Sequence, residues 1–255
     1  MTGELVAQAS LTRPSPIGVS SGNQRLTIIH QQLYCTVGTL GARVTDGTNV
    51  YALSNAHVYA LEGSKTSGTV QAGSTGDKIL QPGRVDMVAQ ACGSASEIDA
   101  AVIGKLWSFV PVEISRKANN TVDAALALVS TAAVGTATPV GGYGTPATTT
   151  VVPSLGMSVQ KYGRTTGLTK GTITGVNATV LIKYDEGQAR FVDQVVVTGS
   201  GAFSDGGDSG SLIVTQNGNF PVALLFAGSS SSTIGNRIDS VLGALGGVTI
   251  DNRTP

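Results

Sequence analysis

The sequence predicts an all-β protein, a sandwich or a pair of barrels, on three observations. Its apolar runs are short and strand-sized, and turn residues separate them where helical stretches would be needed for alternating βαβ units. Glycine accounts for 34 of the 255 residues, spread along the chain between those runs. Charged residues are only 13%, against ~25% in an average domain.

Residues 1–34 read as an N-terminal arm, because Arg13-Pro14-Ser15-Pro16 and Ser20-Ser21-Gly22-Asn23 carry turn chemistry. The folded domain is expected over 35–250. Cys35 to Val44 and Asn49 to Ser54 flank Asp46-Gly47, the pair a tight hairpin favours because both residues tolerate positive φ. Val122 to Val129 completes the strands expected in a first unit over about 35–135. Met157 to Lys161, Gly171 to Val176, Thr179 to Lys183, Phe191 to Thr198, Leu212 to Thr215 and Val222 to Phe226 form a second unit over about 150–235. One helix is predicted at about 237–245, with Asn236 as its cap. Ile238, Val241, Leu242 and Leu245 form a stripe that packs on the second unit, and Gly246-Gly247 ends it.

Composition narrows the function. An apolar fraction of 41% is globular, and sixteen basic residues balance sixteen acidic ones, so no net field draws in nucleic acid or an anionic bilayer. No run approaches the ~18 apolar residues of a membrane span, and the first residues lack the basic and apolar regions of a secretion signal. A cytoplasmic chain is therefore expected, unless an upstream segment has been removed. Cys35 and Cys92 are too few for a disulfide framework or a structural zinc site and are expected as two buried, reduced thiols. Neither an ATP-binding Gly-x-x-x-x-Gly-Lys-Ser/Thr loop nor a His-Glu-x-x-His pair occurs, so no cofactor or catalytic metal is implied.

Gly207-Asp208-Ser209-Gly210-Ser211 is the most informative pentapeptide. A serine hydroxyl needs a base to become a nucleophile, and the oxyanion it generates needs backbone N–H donors. Glycine beside Ser209 lets the amides of Gly207 and Ser209 converge on one point; the alternative is a polar turn between strands. Only two histidines are available as base: His57, at the end of a predicted strand, and His30, whose place in the arm marks it as a surface or packing residue. No histidine follows Ser209, which excludes the Ser-Asp-His order of α/β-hydrolases. A subtilisin order would need Asp46, already assigned to a turn. His-Asp-Ser remains.

These residues resemble the chymotrypsin/trypsin-like serine peptidases. Ser54-Asn55-Ala56-His57 is similar to the Thr-Ala-Ala-His around their base, and the Ser209 pentapeptide to their Gly-Asp-Ser-Gly-Gly. Lys161-Tyr162-Gly163-Arg164-Thr165-Thr166-Gly167 looks like a segment of the bacterial α-lytic and streptogrisin-type enzymes. Leu53-Ser54-Asn55, Ile79-Leu80-Gln81-Pro82-Gly83 and Leu224-Leu225-Phe226-Ala227-Gly228-Ser229 also resemble an intracellular trypsin-like branch that includes the plant NARROW LEAF proteins.

The resemblance implies two six-stranded antiparallel β-barrels with a cleft between them. It further implies a serine endopeptidase acting on protein or peptide substrates through an acyl-enzyme. His57 and Ser209 would be catalytic, with Asp123 favoured as the third member because Asn119-Asn120 precedes it; Asp99 is the alternative. Lys161 or Arg164 would neutralise Asp208. Phe203, six residues before the nucleophile, and the strand Phe226-Ala227-Gly228 would contact substrate, with a small or apolar P1 residue favoured. A catalytically idle relative that binds peptides in the same cleft is the competing reading.

Overall fold

Small polar residues open the first barrel. In the computed structural model, which describes residues 12–29, 32–61, 75–87 and 92–253, β1 (Ser20–Asn23) is a buried strand inside the stretch expected as an arm. Turn chemistry misleads here because each polar side chain finds an interior partner. Ser20 Oγ donates to Asp86 at 2.5 Å, Ser21 Oγ to the Leu80 carbonyl at 2.7 Å, and Asn23 Nδ2 to the Tyr59 carbonyl at 2.7 Å. Such satisfaction removes the penalty for burying them.

A small pair, β2 (Thr27–Ile29) and β3 (Gln32–Tyr34), stands apart from the main sheet. β4 (Gly38–Thr39) pairs with β1, and β5 (Ala42–Thr45) with β6 (Val50–Ser54). The helical turn α1 (Ala56–Tyr59) follows at once, then β7 (Lys78–Leu80), a 3-10 turn at Arg84–Asp86, α2 (Ala95–Ala100), β8 (Val102–Phe109) and β9 (Ala125–Val129). The strand order β5-β6-β9-β8-β7-β1-β4 returns to its start, because β4 and β5 are two halves of one bent strand joined through Leu40 and Gly41. Leu40 donates to Val19 on one side and Gly41 to Leu53 on the other, so the bend serves both ends of the sheet. Counted that way, the first unit is the expected six-stranded barrel.

The second barrel is closed in the order β10-β11-β12-β15-β14-β13. Its strands are β10 (Ser158–Gly163), β11 (Gly167–Tyr184), β12 (Gly187–Gly199), β13 (Leu212–Thr215), β14 (Pro221–Gly228) and β15 (Thr233–Arg237). The runs expected at Gly171 to Val176 and Thr179 to Lys183 are one bulged strand of 18 residues. The tip of its hairpin packs Tyr184 and Phe191 against Val112 and Ile114 of the segment that leaves β8.

The C-terminal helix is α3 (Ile238–Ala244), and its cap position is Arg237, one residue later than expected; the Asn236 side chain is engaged elsewhere. The stripe Ile238, Val241, Leu242 and Leu245 shares one core with Val44, Leu53 and Leu126 of the first barrel and Leu212 and Leu224 of the second. The helix therefore fills the seam between barrels, where packing on the second alone was expected. Beyond it, β16 (Thr249–Ile250) adds to β5, and the fully buried Arg43 pairs with Asp251 at 3.0 Å.

Cys35 and Cys92 form a disulfide with a Cα–Cα distance of 5.8 Å, correcting the expectation of reduced thiols. Cys35 follows β3 and Cys92 precedes α2, and two cysteines 57 residues apart carry no local signal of that pairing. Among the described residues, no helix is long and apolar enough to cross a membrane.

Candidate active site

Strand pairing sets His57 beside Asp123. β6 and β9 run antiparallel with Ser54 opposite Ala125, so the residues just past one strand lie next to those just before the other. Nδ1 of His57 is 2.7 Å from Oδ2 of Asp123, and the His57 backbone N–H donates to Oδ1 at 3.1 Å. Asn55 occupies the N-cap of α1 without capping it; its side chain instead donates to the Asp123 carbonyl at 2.7 Å. The Asp123 side chain has no solvent exposure, whereas His57 is 21% exposed. Burial pushes the carboxyl pKa up, but the His57 ring and hydrogen bonds from His57 and Tyr184 outweigh it, and the net shift is downward.

Asp99 lies elsewhere. It sits on α2, exposed, in an ion pair with Lys78 at 2.7 Å. His30 falls outside the described residues.

The Ser209 loop is locked onto the first barrel by Thr39. Thr39 N donates to the Ser209 carbonyl at 2.7 Å and Thr39 Oγ1 to that of Gly207 at 2.9 Å. Ser54, three residues before His57, in turn donates to the Thr39 carbonyl at 2.8 Å. Gly207 and Gly210 have φ of +96° and +95°, a region costly for other residues. A methyl group on Gly210 would also collide with the Thr39 carbonyl. The glycines are thus required by the turn and by the contact between barrels.

Two further carbonyls of the same loop accept side-chain hydrogen bonds from the second barrel. Thr165 Oγ1 donates to the Gly206 carbonyl at 2.6 Å, and Ser211 Oγ to that of Asp208 at 2.6 Å. Since a trans peptide points its C=O and N–H in opposite directions, the amides of Gly207 and Ser209 are directed away from those donors. Among the described residues, neither amide has an acceptor, whereas those of Asp208, Gly210 and Ser211 do. Ser209 Oγ rests 3.4 Å from the Phe226 carbonyl.

Asp208 is fully buried and well compensated. It accepts from Thr165 N at 2.8 Å, Thr166 N at 3.2 Å, Thr166 Oγ1 at 2.6 Å and Asp205 N at 3.0 Å. Lys161 supplies the counter-charge at 3.5 Å, itself buried, with its pKa pushed down by burial to about 8 although Asp208 pulls it up. Arg164, the other candidate, pairs with Asp86 across the barrels and packs on Gly207. Lys161→Met should leave Asp208 as an uncompensated buried charge and cost about 3–5 kcal/mol in urea unfolding. A loss below about 1 kcal/mol would mean that the four hydrogen bonds suffice.

Two cavities adjoin along Ala227 and Gly228. One, of about 520 Å³, is lined by Ser209, Ala202, Ser204, Asp205 and Leu225, among others. The other, of about 390 Å³, is lined by His57, Leu181, Lys183, Tyr184 and Phe226, among others. Phe203 lines neither; it is buried in the second-barrel core with Val159, Ile173 and Val197. Its neighbours Ala202 and Ser204 face the cavity, and counting back from the nucleophile could not reveal which residues of this loop turn inward. Among the described residues, no group of three or more His, Cys, Asp or Glu side chains could hold a metal ion.

The family model described as "Peptidase family S64" matches residues 92–236. No curated protein matches the chain. Among solved structures, Protease A of Thermobifida fusca is 20% identical with a TM-score of 0.55, covering 92% of this chain and 98% of its own. A glutamic acid specific serine protease is 19% identical, TM-score 0.55, covering 90% and 99%. An alpha-lytic protease homolog, N4, is 18% identical, TM-score 0.55, covering 92% and 100%. At these identities the likeness is one of fold, the double β-barrel.

Proposed function

Because the chain belongs to peptidase family S64, we propose that it is a serine endopeptidase that hydrolyses peptide bonds through an acyl-enzyme on Ser209. His57 takes the Ser209 proton as the hydroxyl attacks and returns it to the leaving amine. Asp123 accepts the Nδ1–H of His57, which leaves Nε2 as the basic nitrogen and stabilises the imidazolium without Asp123 taking the proton. The amides of Gly207 and Ser209 receive the charge on the carbonyl oxygen.

One observation carries this reading: a carboxylate without solvent exposure lies 2.7 Å from Nδ1 of a histidine that lines a cavity adjoining that of Ser209. Such a pair fixes tautomer and orientation, and a surface ion pair would do neither. The substrate backbone adds as a strand along Phe226-Ala227-Gly228. The P1 side chain enters the Ser209 cavity of about 520 Å³, whose lining includes Ala202, Ser204, Ala227 and Gly228 together with the carboxylate-bearing Asp205.

A fluorophosphonate probe should label the wild-type protein at Ser209 and fail on Ser209→Ala and His57→Ala. Folded wild-type protein that resists labelling would instead favour a peptide-binding role for the cleft.

A further inference from the structure

The Asp123 carboxylate is held from both barrels. His57 approaches it from the first barrel, while the hydroxyl of Tyr184, at the end of the long strand β11, donates to Oδ2 at 2.9 Å. That oxygen is the one that faces His57 Nδ1. Tyr184 is buried, and its ring stacks on Phe191 at 6.3 Å between centroids. Phe191 packs on Phe226 at 4.7 Å, and Phe226 lies in the strand beside Ser209. Further second-barrel side chains grip the backbone around Asp123. Asn236 Oδ1 accepts from Asp123 N at 2.9 Å, and Gln194, bonded to Asn236 at 2.7 Å, donates to the Thr121 carbonyl at 2.9 Å.

From this geometry we propose that Tyr184 is a positioning residue for the reaction, acting through Asp123. Its hydroxyl fixes the carboxylate rotamer that presents Oδ2 to His57. The working geometry of the His57–Asp123 pair therefore depends on the β11–β12 hairpin being docked against the first barrel. This inference rests on the peptidase reading above.

Tyr184 shares Oδ2 with His57. A donor on a carboxylate oxygen draws charge away from its other partner, so removing the hydroxyl leaves more negative charge facing the imidazole. His57 should then hold its proton to higher pH.

Tyr184→Phe keeps the ring between Phe191 and the cavity and removes only the donor. The expected result is a fall in kcat of about tenfold, with KM within about twofold, because a hydrogen bond to a charged group is lost. The acid limb of the kcat/KM profile should move to higher pH. In an Asp123→Asn background the same change should cost less than about twofold, since the group through which Tyr184 acts is gone. An equal fall in both backgrounds would assign Tyr184 to general packing and overturn the proposal, as would wild-type kcat in Tyr184→Phe. His57 titration followed by NMR in the wild type and Tyr184→Phe needs no turnover. An upward shift there supports the coupling even if the protein proves to hydrolyse nothing, and an unchanged titration overturns it.

Discussion

Ser209→Ala is expected to lower kcat by about 10⁴–10⁶-fold on a peptide substrate and to leave the fold intact. The two halves of that expectation have different origins. Ser209 is docked through its backbone: its carbonyl accepts from Thr39 N at 2.7 Å, which alanine retains. Among the described residues the hydroxyl makes only the 3.4 Å contact to the Phe226 carbonyl, so its loss costs little stability. In the proposed mechanism the hydroxyl is the attacking atom, and without it substrate positioning and the amides of Gly207 and Ser209 would still act. Steady-state kinetics beside thermal unfolding checks both halves. Turnover within tenfold of wild type would remove Ser209 from the reaction.

Asp123→Asn is expected to lower kcat by about 10⁴-fold near neutral pH, with Asp99→Asn staying within about twofold of wild type. Three donors converge on the Asp123 carboxylate: His57 N on Oδ1, and His57 Nδ1 and Tyr184 Oη on Oδ2. An amide has acceptor oxygen on one side only, so at least one donor must face the NH₂ group of asparagine. If that donor is the ring, the imidazole adopts the other tautomer and can no longer take a proton from Ser209. Asp99, 69% exposed and paired with Lys78 alone among the described residues, has no such effect to lose. Equal losses in the two variants, measured on the same substrate, would overturn the choice between them.

Local chemistry made the His57 and Ser209 segments readable, because the proposed nucleophile and the amides proposed to receive the oxyanion lie within one pentapeptide. The asparagines that singled out Asp123 are engaged as well: Asn120 accepts from Glu113 N at 2.9 Å and donates to the Arg190 carbonyl at 3.0 Å, tying the segment before Asp123 to β12. Where the chemistry is delivered from a distance, no pattern announced it. Tyr184 lies in Lys183-Tyr184-Asp185, an ordinary hairpin end, and meets Asp123 only through the docking of two barrels. β1 was hidden for the opposite reason, since its serines and asparagine look like a turn until Asp86, Leu80 and Tyr59 are placed around them. Arg164 and Lys161 sit three residues apart on one segment, and only the direction of β10 decides that Lys161 points to Asp208 while Arg164 crosses to Asp86.

The strand Thr249–Ile250 has a bearing on how the protein comes into being. The first barrel holds His57 and Asp123, yet β5 within it takes its outer neighbour from the last stretch of the chain, and Arg43 waits for Asp251 as its counter-ion. Chains of this size commonly fold their leading half while the ribosome is still extending the rest. Here the leading half lacks both a strand partner and a neutralised guanidinium until residue 251 has emerged.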